Sequence, residues 1–123
     1  MKLSKIGNLV VLCLIIVLFG VGLVDWRPQP VKIVNQYLTL IQKKDIENAY
    51  QMLYIQNSNS KVDLEEFRKR VDTDPLIEYV INGSSKINEK TYDVSTNINM
   101  DGWMTEHTFE VRKIEGNWKV VFD

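Results

Sequence analysis

The sequence predicts an α+β domain in which two or three helices pack on a curved, cone-like antiparallel sheet of about four strands, preceded by an N-terminal transmembrane helix. Three observations predict this class. A run of 19 uncharged residues stands near the start, apolar residues then recur at helical spacing from residue 31 to residue 71, and alternating apolar and polar residues fill most of the chain from residue 92 onward. Helices followed by strands commonly pack as a helical layer on an antiparallel sheet.

Residues 1–26 are predicted to be a membrane anchor or a signal sequence. Residues 6–24 carry no charge, follow Lys2 and Lys5, and are long enough to cross about 30 Å of hydrocarbon as a helix. Trp26 stands where an aromatic side chain anchors at the membrane interface. We expect an uncleaved single-pass anchor that contacts the lipid bilayer, with a cytoplasmic N-terminus and an extracytoplasmic C-terminal domain.

A cleaved signal peptide is the alternative, because Gly20 and Gly22 offer a small-residue cleavage site. The domain would then be secreted. The one cysteine, Cys13, follows Leu12 inside the apolar run, which disfavours a lipidation site and indicates a membrane-embedded apolar side chain. The chain after residue 24 has no cysteine, so it cannot form an internal disulfide.

The charge of the chain beyond the apolar run disfavours a nucleic-acid partner. Residues 25–123 carry 13 Lys and Arg, which is the chain's 15 less Lys2 and Lys5, against all 16 Asp and Glu. The resulting net charge of −3 (13 minus 16) differs from the basic footprint of nucleic-acid-binding domains.

Residues 27–30 form a short linker that its two prolines stiffen, and residues 31–123 form the predicted domain. The first helix is predicted from an apolar stripe with helical spacing: Val31, Val34, Leu38 and Ile41, with Tyr37 beside it. Asp45 is a candidate N-cap for a second stripe between Ile46 and Leu53. The two stripes predict either one kinked helix or a pair of helices.

A third helix is predicted from Asp63, because Glu66 follows three residues later as in a capping box. Its buried stripe comprises Leu64, Phe67 and Val71. The basic run 68–70 is interpreted as a solvated helix face, since Glu65 and Glu66 precede Lys69 and Arg70 by four residues and favour helical ion pairs.

The strands are predicted from alternation and from turn residues. Leu76–Ile81 is rich in strand formers and precedes a predicted turn at Asn82–Ser85. Asp101-Gly102 predicts a two-residue type I′ turn with Met100 opposite Trp103. The pairs that follow on the apolar face are Ile98/Thr105, Thr96/His107, Val94/Phe109 and Tyr92/Val111. A last turn at Glu115-Gly116 or Gly116-Asn117 places Trp118, Val120 and Phe122 on that same face.

Three short segments resemble those of a small nuclear-transport-factor-2-like (NTF2-like) domain, also called cystatin-like. They are Asp45-Ile46-Glu47-Asn48-Ala49-Tyr50, Glu65-Glu66-Phe67 and the closing Gly116-Asn117-Trp118-Lys119-Val120. The resemblance covers about residues 30–123 and implies a sheet curled around a conical cavity that the helices cover. It also implies a small membrane-anchored bacterial protein of the kind found in Gram-positive bacteria. Members of the superfamily include isomerases, dehydratases, ligand-binding proteins and scaffolds of secretion or conjugation machines.

An enzyme is disfavoured by the predicted inner face of the sheet. Proton transfer needs a base and a group that stabilises developing charge. The strand residues predicted to face inward include no carboxylate, and His107 is the one candidate base, with Tyr79 or Tyr92 as a possible donor. A single histidine also disfavours a metal site, and no cofactor motif is present. An isomerase- or dehydratase-like activity that uses His107 stays open as an alternative.

A binding function is favoured by the aromatic residues. Trp103 and Met104 lie beside the predicted hairpin turn, beyond the expected reach of the helices, and Tyr92, His107 and Trp118 belong to the inner face. We therefore expect a non-enzymatic extracytoplasmic binding domain whose partner is a protein or a small apolar ligand. The alternative is a scaffold component of a secretion or conjugation assembly.

Overall fold

The structure is a computed structural model that describes residues 27–56 and 62–122, which leaves the predicted anchor, Cys13 and Trp26 outside the described residues. The described elements are α1 (Gln29–Gln42), α2 (Ile46–Gln51), β1 (Leu53–Ile55), α3 (Leu64–Thr73), β2 (Glu78–Asn88), β3 (Thr91–Asn99), β4 (Met104–Ile114) and β5 (Asn117–Phe122). Within these elements, every helix is too short or too polar to span a bilayer.

The apolar stripe of α1 is confirmed. The predicted residues of α1 are all buried, with Tyr37 among them. Lys44 adopts a positive φ of 61°, which ends the helical path after α1 and makes the next stripe a separate helix. Asp45 is the N-cap residue of α2, but its side chain accepts a hydrogen bond from Asn48 Nδ2 at 2.9 Å instead of capping the backbone.

The third helix begins as predicted. Asp63 is the N-cap residue of α3, and its Oδ1 accepts a hydrogen bond from the Glu66 backbone N–H at 2.9 Å. Phe67 and Val71 are buried against the rest of the domain. Glu66 and Arg70 form the expected i,i+4 ion pair at 3.5 Å, which is half exposed and adds little stability.

The sheet has one more strand than predicted and is mixed rather than antiparallel. Its order is β1-β5-β4-β3-β2, and β1 runs parallel to β5, with Leu53 beside Val120. The sequence pattern placed Leu53 in the second helical stripe. The assignment was wrong because three residues are too few to show alternation, and because a parallel neighbour is brought in by tertiary packing rather than by a turn.

The central hairpin has the predicted register but a different turn. All four predicted apolar-face pairs of β3 and β4 are present, and Asn99 lies opposite Met104. The ladder ends there, so the predicted pairing of Met100 with Trp103 is wrong. Gly102 has a φ of 95°, whereas among the described non-glycine residues only Lys44 and Glu115 have a positive φ, so the turn is not type I′. Asn99 Oδ1 instead accepts the Gly102 N–H at 2.8 Å and closes a four-residue loop. Short polar side chains compete for backbone donors in this way.

The type I′ geometry occurs at the last turn. Ile114 pairs with Asn117, and the two residues between them, Glu115 and Gly116, have φ values of 50° and 84°. This selects Glu115-Gly116 from the two predicted alternatives. It also keeps Trp118 and Val120 on the inner face of the sheet, as predicted.

The predicted turn at Asn82–Ser85 is wrong. Strand β2 continues through it to Asn88, and the chain turns at Glu89-Lys90. Asn82 is the extra residue of a β-bulge, because Ile81 pairs with Thr96 and Gly83 pairs with the next residue of β3, Ser95. Asn82-Gly83 therefore lies at a bulge, which these residue types tolerate as well as they tolerate a turn.

The core lies between α1 and the middle of the sheet. Val94, Val111 and Val120 are almost completely buried on three adjacent strands, and Val34 faces them from α1. Thr96 is the one buried polar residue among those described, and its Oγ1 donates to the His107 carbonyl at 2.7 Å. This bond satisfies the hydroxyl and fixes the backbone at His107.

Candidate functional sites: a cavity and an exposed hairpin tip

A cavity of about 260 Å³ lies between α1, α3 and the inner face of the sheet. The residues that line it are mostly apolar, and the polar ones come from three elements and the end of α3. The lining residues are Tyr37, Leu38, Ile41, Phe67, Arg70, Val71, Asp74, Leu76, Ile98, Met100, His107, Phe109 and Phe122. A mostly apolar pocket with a few convergent polar groups is the usual form of a small-molecule site.

The cavity contains a carboxylate and a guanidinium that the sequence analysis did not place there. Asp74, the C-cap residue of α3, and Arg70 both line it. Arg70 lies over the Phe122 ring, with 5.4 Å from its guanidinium carbon to the ring centroid. The expected absence of a carboxylate holds for the inward strand residues but not for the cavity. Helical spacing could have predicted both residues, because positions 70 and 74 lie three and seven residues after Phe67 and therefore on the same side of α3.

Tyr37 brings a hydroxyl to the cavity. Its ring is buried and meets the Phe109 ring edge-on, with 6.1 Å between centroids. The hydroxyl forms no hydrogen bond with any residue in the described ranges. Burial raises the pKa of Tyr37, because the low-dielectric interior disfavours the phenolate. The group is therefore a neutral hydrogen-bonding group at physiological pH.

The raised pKa of Tyr37 predicts a loss of stability at alkaline pH. The unfolded chain releases this proton at pH ~10 while the folded chain retains it. The contribution of Tyr37 to the free energy of unfolding is therefore complete below pH ~10 and declines as the pH rises further. Urea unfolding of the parent and of Tyr37→Phe at pH 8 and at pH 11 measures this. We expect the parent to lose more stability between the two pH values than the variant, and equal losses would contradict the prediction.

The structure distributes the predicted site residues over three places. His107 lines the cavity, but it is exposed and its imidazole forms no hydrogen bond with a described residue. Its ring meets Phe109 edge-on at a centroid distance of 4.4 Å. Tyr92 and Trp118 pack against each other at 5.6 Å near the opposite end of the sheet from the β3–β4 loop. They do not line the cavity.

Trp103 and Met104 occupy the third place, the exposed end of the β3–β4 hairpin. The side chains of Trp103 and Met104 are 75% and 48% exposed, and Ile77 and Val80 are 55% and 53% exposed. The Ile77 N–H donates to the carbonyl of Asn99, which itself pairs with Met104, so these residues share one end of the sheet. We call Ile77, Val80, Trp103 and Met104 the tip surface.

In the described part of the chain, no three His, Cys, Asp or Glu side chains come together in a group that could hold a metal ion. No family model matches the chain. No curated protein matches it either.

Solved structures do match the chain. A Campylobacter jejuni protein provisionally named an NTF2-like transpeptidase aligns with 78% of this chain and 100% of its own, at 13% identity and a TM-score of 0.57. The fold is NTF2-like. An NTF2-like protein of unknown function from Cytophaga hutchinsonii aligns with 79% of this chain and 89% of its own, at 11% identity and a TM-score of 0.55. At such identities the likeness concerns the fold and leaves function to the sites.

Proposed function

We propose that this chain is a non-enzymatic binding domain, held on the extracytoplasmic side of the membrane by residues 6–24, that engages a protein partner through the tip surface. The observation that carries the proposal is the exposure of four large apolar side chains, Trp103 among them, at one end of the sheet. The location rests on the charge and length of the N-terminal segment. A topology reporter fused after Asp123 and found in the cytoplasm would contradict it.

The tip surface has the character of an interface core. Single exposed apolar residues are ordinary, whereas neighbouring ones on one surface mark interaction sites. Four of the five large apolar side chains exposed in the described ranges belong to this surface. Tryptophan is also enriched among the residues that dominate binding energy, because it buries a large rigid area. Trp103 is therefore the expected anchor of the interaction.

The charges around the tip surface favour a basic partner segment. Every charged side chain within residues 77–80 and 99–106 is acidic: Glu78, Asp101 and Glu106. Complementary charge speeds encounter and selects partners. We therefore propose that the partner presents apolar side chains flanked by lysine or arginine.

The non-enzymatic part of the proposal is supported by the surroundings of His107. A catalytic base is normally held by a third group that orients its ring. Among the described residues, the imidazole of His107 meets the Phe109 ring and forms no hydrogen bond, and its backbone carbonyl accepts the Thr96 hydroxyl. These contacts favour a packing role.

Replacing Trp103 with alanine should weaken partner binding about 30-fold or more while the melting temperature stays within a few degrees of the parent. The fold should tolerate the change because the side chain is 75% exposed. Photo-crosslinking from position 104, which keeps Trp103 in place, identifies the partner in intact membranes, and titration of the purified pair at two salt concentrations measures affinity. Affinity should fall as salt rises.

The matched control is Ile87→Ala, which removes another exposed apolar side chain, 55% exposed, near the far end of β2. It should leave binding unchanged. Unfolding of Trp103→Ala would place Trp103 in the core. Equal effects of both substitutions would contradict a specific tip interaction.

The cavity supports a second candidate function, the binding of a small apolar ligand. Its apolar walls suit the body of such a ligand, and the free Tyr37 hydroxyl, Arg70 and Asp74 could orient a polar end. Its volume of about 260 Å³ lies just below the usual range of ligand sites, about 300–1,000 Å³. A compact ligand is therefore the matching class.

A further inference from the structure

A groove of about 660 Å³ lies on the solvent side of α1, between α1, α2 and the first residues of β5. None of its lining residues belongs to the cavity, so the two depressions are separate. The Lys119 ammonium donates to the carbonyl of Gln51 at 2.7 Å and ties β5 to α2. The groove is thus bounded by elements that are fixed to each other, which favours a preformed site.

The polar side chains of the groove are nearly all uncharged. Five of its eleven lining residues are asparagine or glutamine, and none is acidic. Helix α1 contributes to this because Lys32 is its one charged residue. The outer face of a surface helix is ordinarily rich in charge. This composition therefore distinguishes the groove from an ordinary solvated surface.

Several of these carboxamides are available to a ligand. The side chains of Gln36, Gln51 and Asn117 form no hydrogen bond with any described residue. Strand β1 reaches only as far as Val120 along β5, so residues 117–119 have no strand neighbour on that side within the described ranges. The groove therefore combines side-chain and main-chain hydrogen-bonding groups.

Trp118 gives the groove an aromatic surface. The Tyr92 ring meets it edge-on at 5.6 Å, and the Lys113 Nζ lies 5.7 Å from its centroid, which together hold the indole in place. The apolar side chains of Ile33, Leu40 and Met52 complete the lining. The groove thus combines apolar groups, carboxamides and one indole ring.

We propose that this groove binds a neutral saccharide that carries N-acetyl groups. An acetamide pairs its N–H and carbonyl with a carboxamide side chain and sets its methyl group against an apolar one, and the groove supplies both. The indole offers an apolar face to the C–H groups of a pyranose ring. An ionic ligand would meet only Lys119, whose ammonium is engaged with Gln51.

Isothermal titration calorimetry of the full chain with a trisaccharide of N-acetylglucosamine tests this proposal. The chain is kept in a detergent without a sugar head group, because such a head group would compete for the groove. The matched ligand is a glucose trisaccharide without acetamide groups, and we expect it to bind at least tenfold more weakly. Gln36→Ala and Asn117→Ala should each weaken binding of the N-acetyl trisaccharide about 3- to 10-fold.

Asn97→Ala removes a carboxamide from the outer face of β3, outside the groove, and should leave the affinity unchanged. Trp118 fluorescence, measured with Trp26 and Trp103 replaced by phenylalanine, should change on binding and locate the ligand. Absence of binding, equal affinity for both trisaccharides, or an affinity of the Gln36→Ala and Asn117→Ala variants equal to that of the parent would overturn the proposal. Preferential binding of a neutral peptide would also overturn it. Because Trp103 lies outside the groove, these outcomes are independent of the tip surface.

Discussion

Replacing Phe67 with alanine should lower the free energy of unfolding by about 3–5 kcal/mol, the usual cost of deleting a buried aromatic side chain. Phe67 is 3% exposed, and its ring lies 5.6 Å from the Tyr50 ring and 6.4 Å from the Phe122 ring. The substitution therefore loosens α3 from both α2 and β5. Since small domains have total stabilities of about 5–15 kcal/mol, a large part of the stability should disappear.

Urea unfolding followed by circular dichroism measures this loss. Leu64→Ala is the matched control on α3, because Leu64 is only partly buried and should cost less than half as much. Equal losses for the two variants would show that Phe67 does not connect the helices to the sheet. That outcome would also contradict the placement of α3 at the wall of the cavity.

The Phe67 variant also tests the second candidate function. Phe67 lines the cavity, so its truncation should leave room for a benzene-sized molecule. A ligand that binds only the folded state raises the unfolding free energy by mass action. Benzene should therefore restore part of the lost stability in Phe67→Ala. A small apolar molecule that also raises the stability of the parent would show that the native cavity accepts a ligand.

Local patterns were sufficient to predict the helices and the central hairpin. The α1 stripe recurs at helical spacing, and only one face of such a helix can be buried. The register of β3 and β4 followed from alternation, because a shift of one residue would turn every apolar side chain outward. This register is correct although the predicted turn type is wrong. The hydrophobic pattern, and not the Asp101-Gly102 turn, therefore determines the pairing of Thr96 with His107.

The remaining features depend on contacts between distant segments. Strand β1 forms because the end of α2 places Leu53 beside Val120. The sequence around either residue does not predict this pairing. Asn82-Gly83 favours a turn and a bulge alike, so the choice is made by the pairing of the residues beyond it with β3. Local sequence offers two solutions at such positions, and tertiary packing selects one.

The candidate sites show the same division. Trp103 was predicted from its place beside the turn, and the structure leaves it exposed. Asp74 and Arg70 were missed because their stripe was interpreted from its apolar members alone, although both share the face of Phe67. The groove was missed for a different reason. Carboxamides on α1, α2 and β5 lie far apart in sequence, and only the fold brings them together.

Replacing Val34 with aspartate should prevent folding at neutral pH. Val34 is 0% exposed and lies in the core cluster with Val94 and Val111. A carboxylate buried without a partner costs several kcal/mol, and its neutral form would still leave polar oxygens among apolar side chains. This cost is comparable to the whole stability of a small domain. Circular dichroism and amide dispersion in NMR spectra would report the loss of fold.

The matched control is Gln36→Asp, which places the same carboxylate two residues later on the same helix. Gln36 is exposed, so the substitution should leave the fold and its cooperative unfolding intact. It should nevertheless disturb the groove, because it introduces a charge among neutral carboxamides. Folding of Val34→Asp would contradict the assignment of the buried face of α1. Unfolding of Gln36→Asp would contradict the assignment of the exposed face of α1 to the groove. The two variants together therefore test the buried face of α1 as part of the core and its exposed face as part of a binding surface.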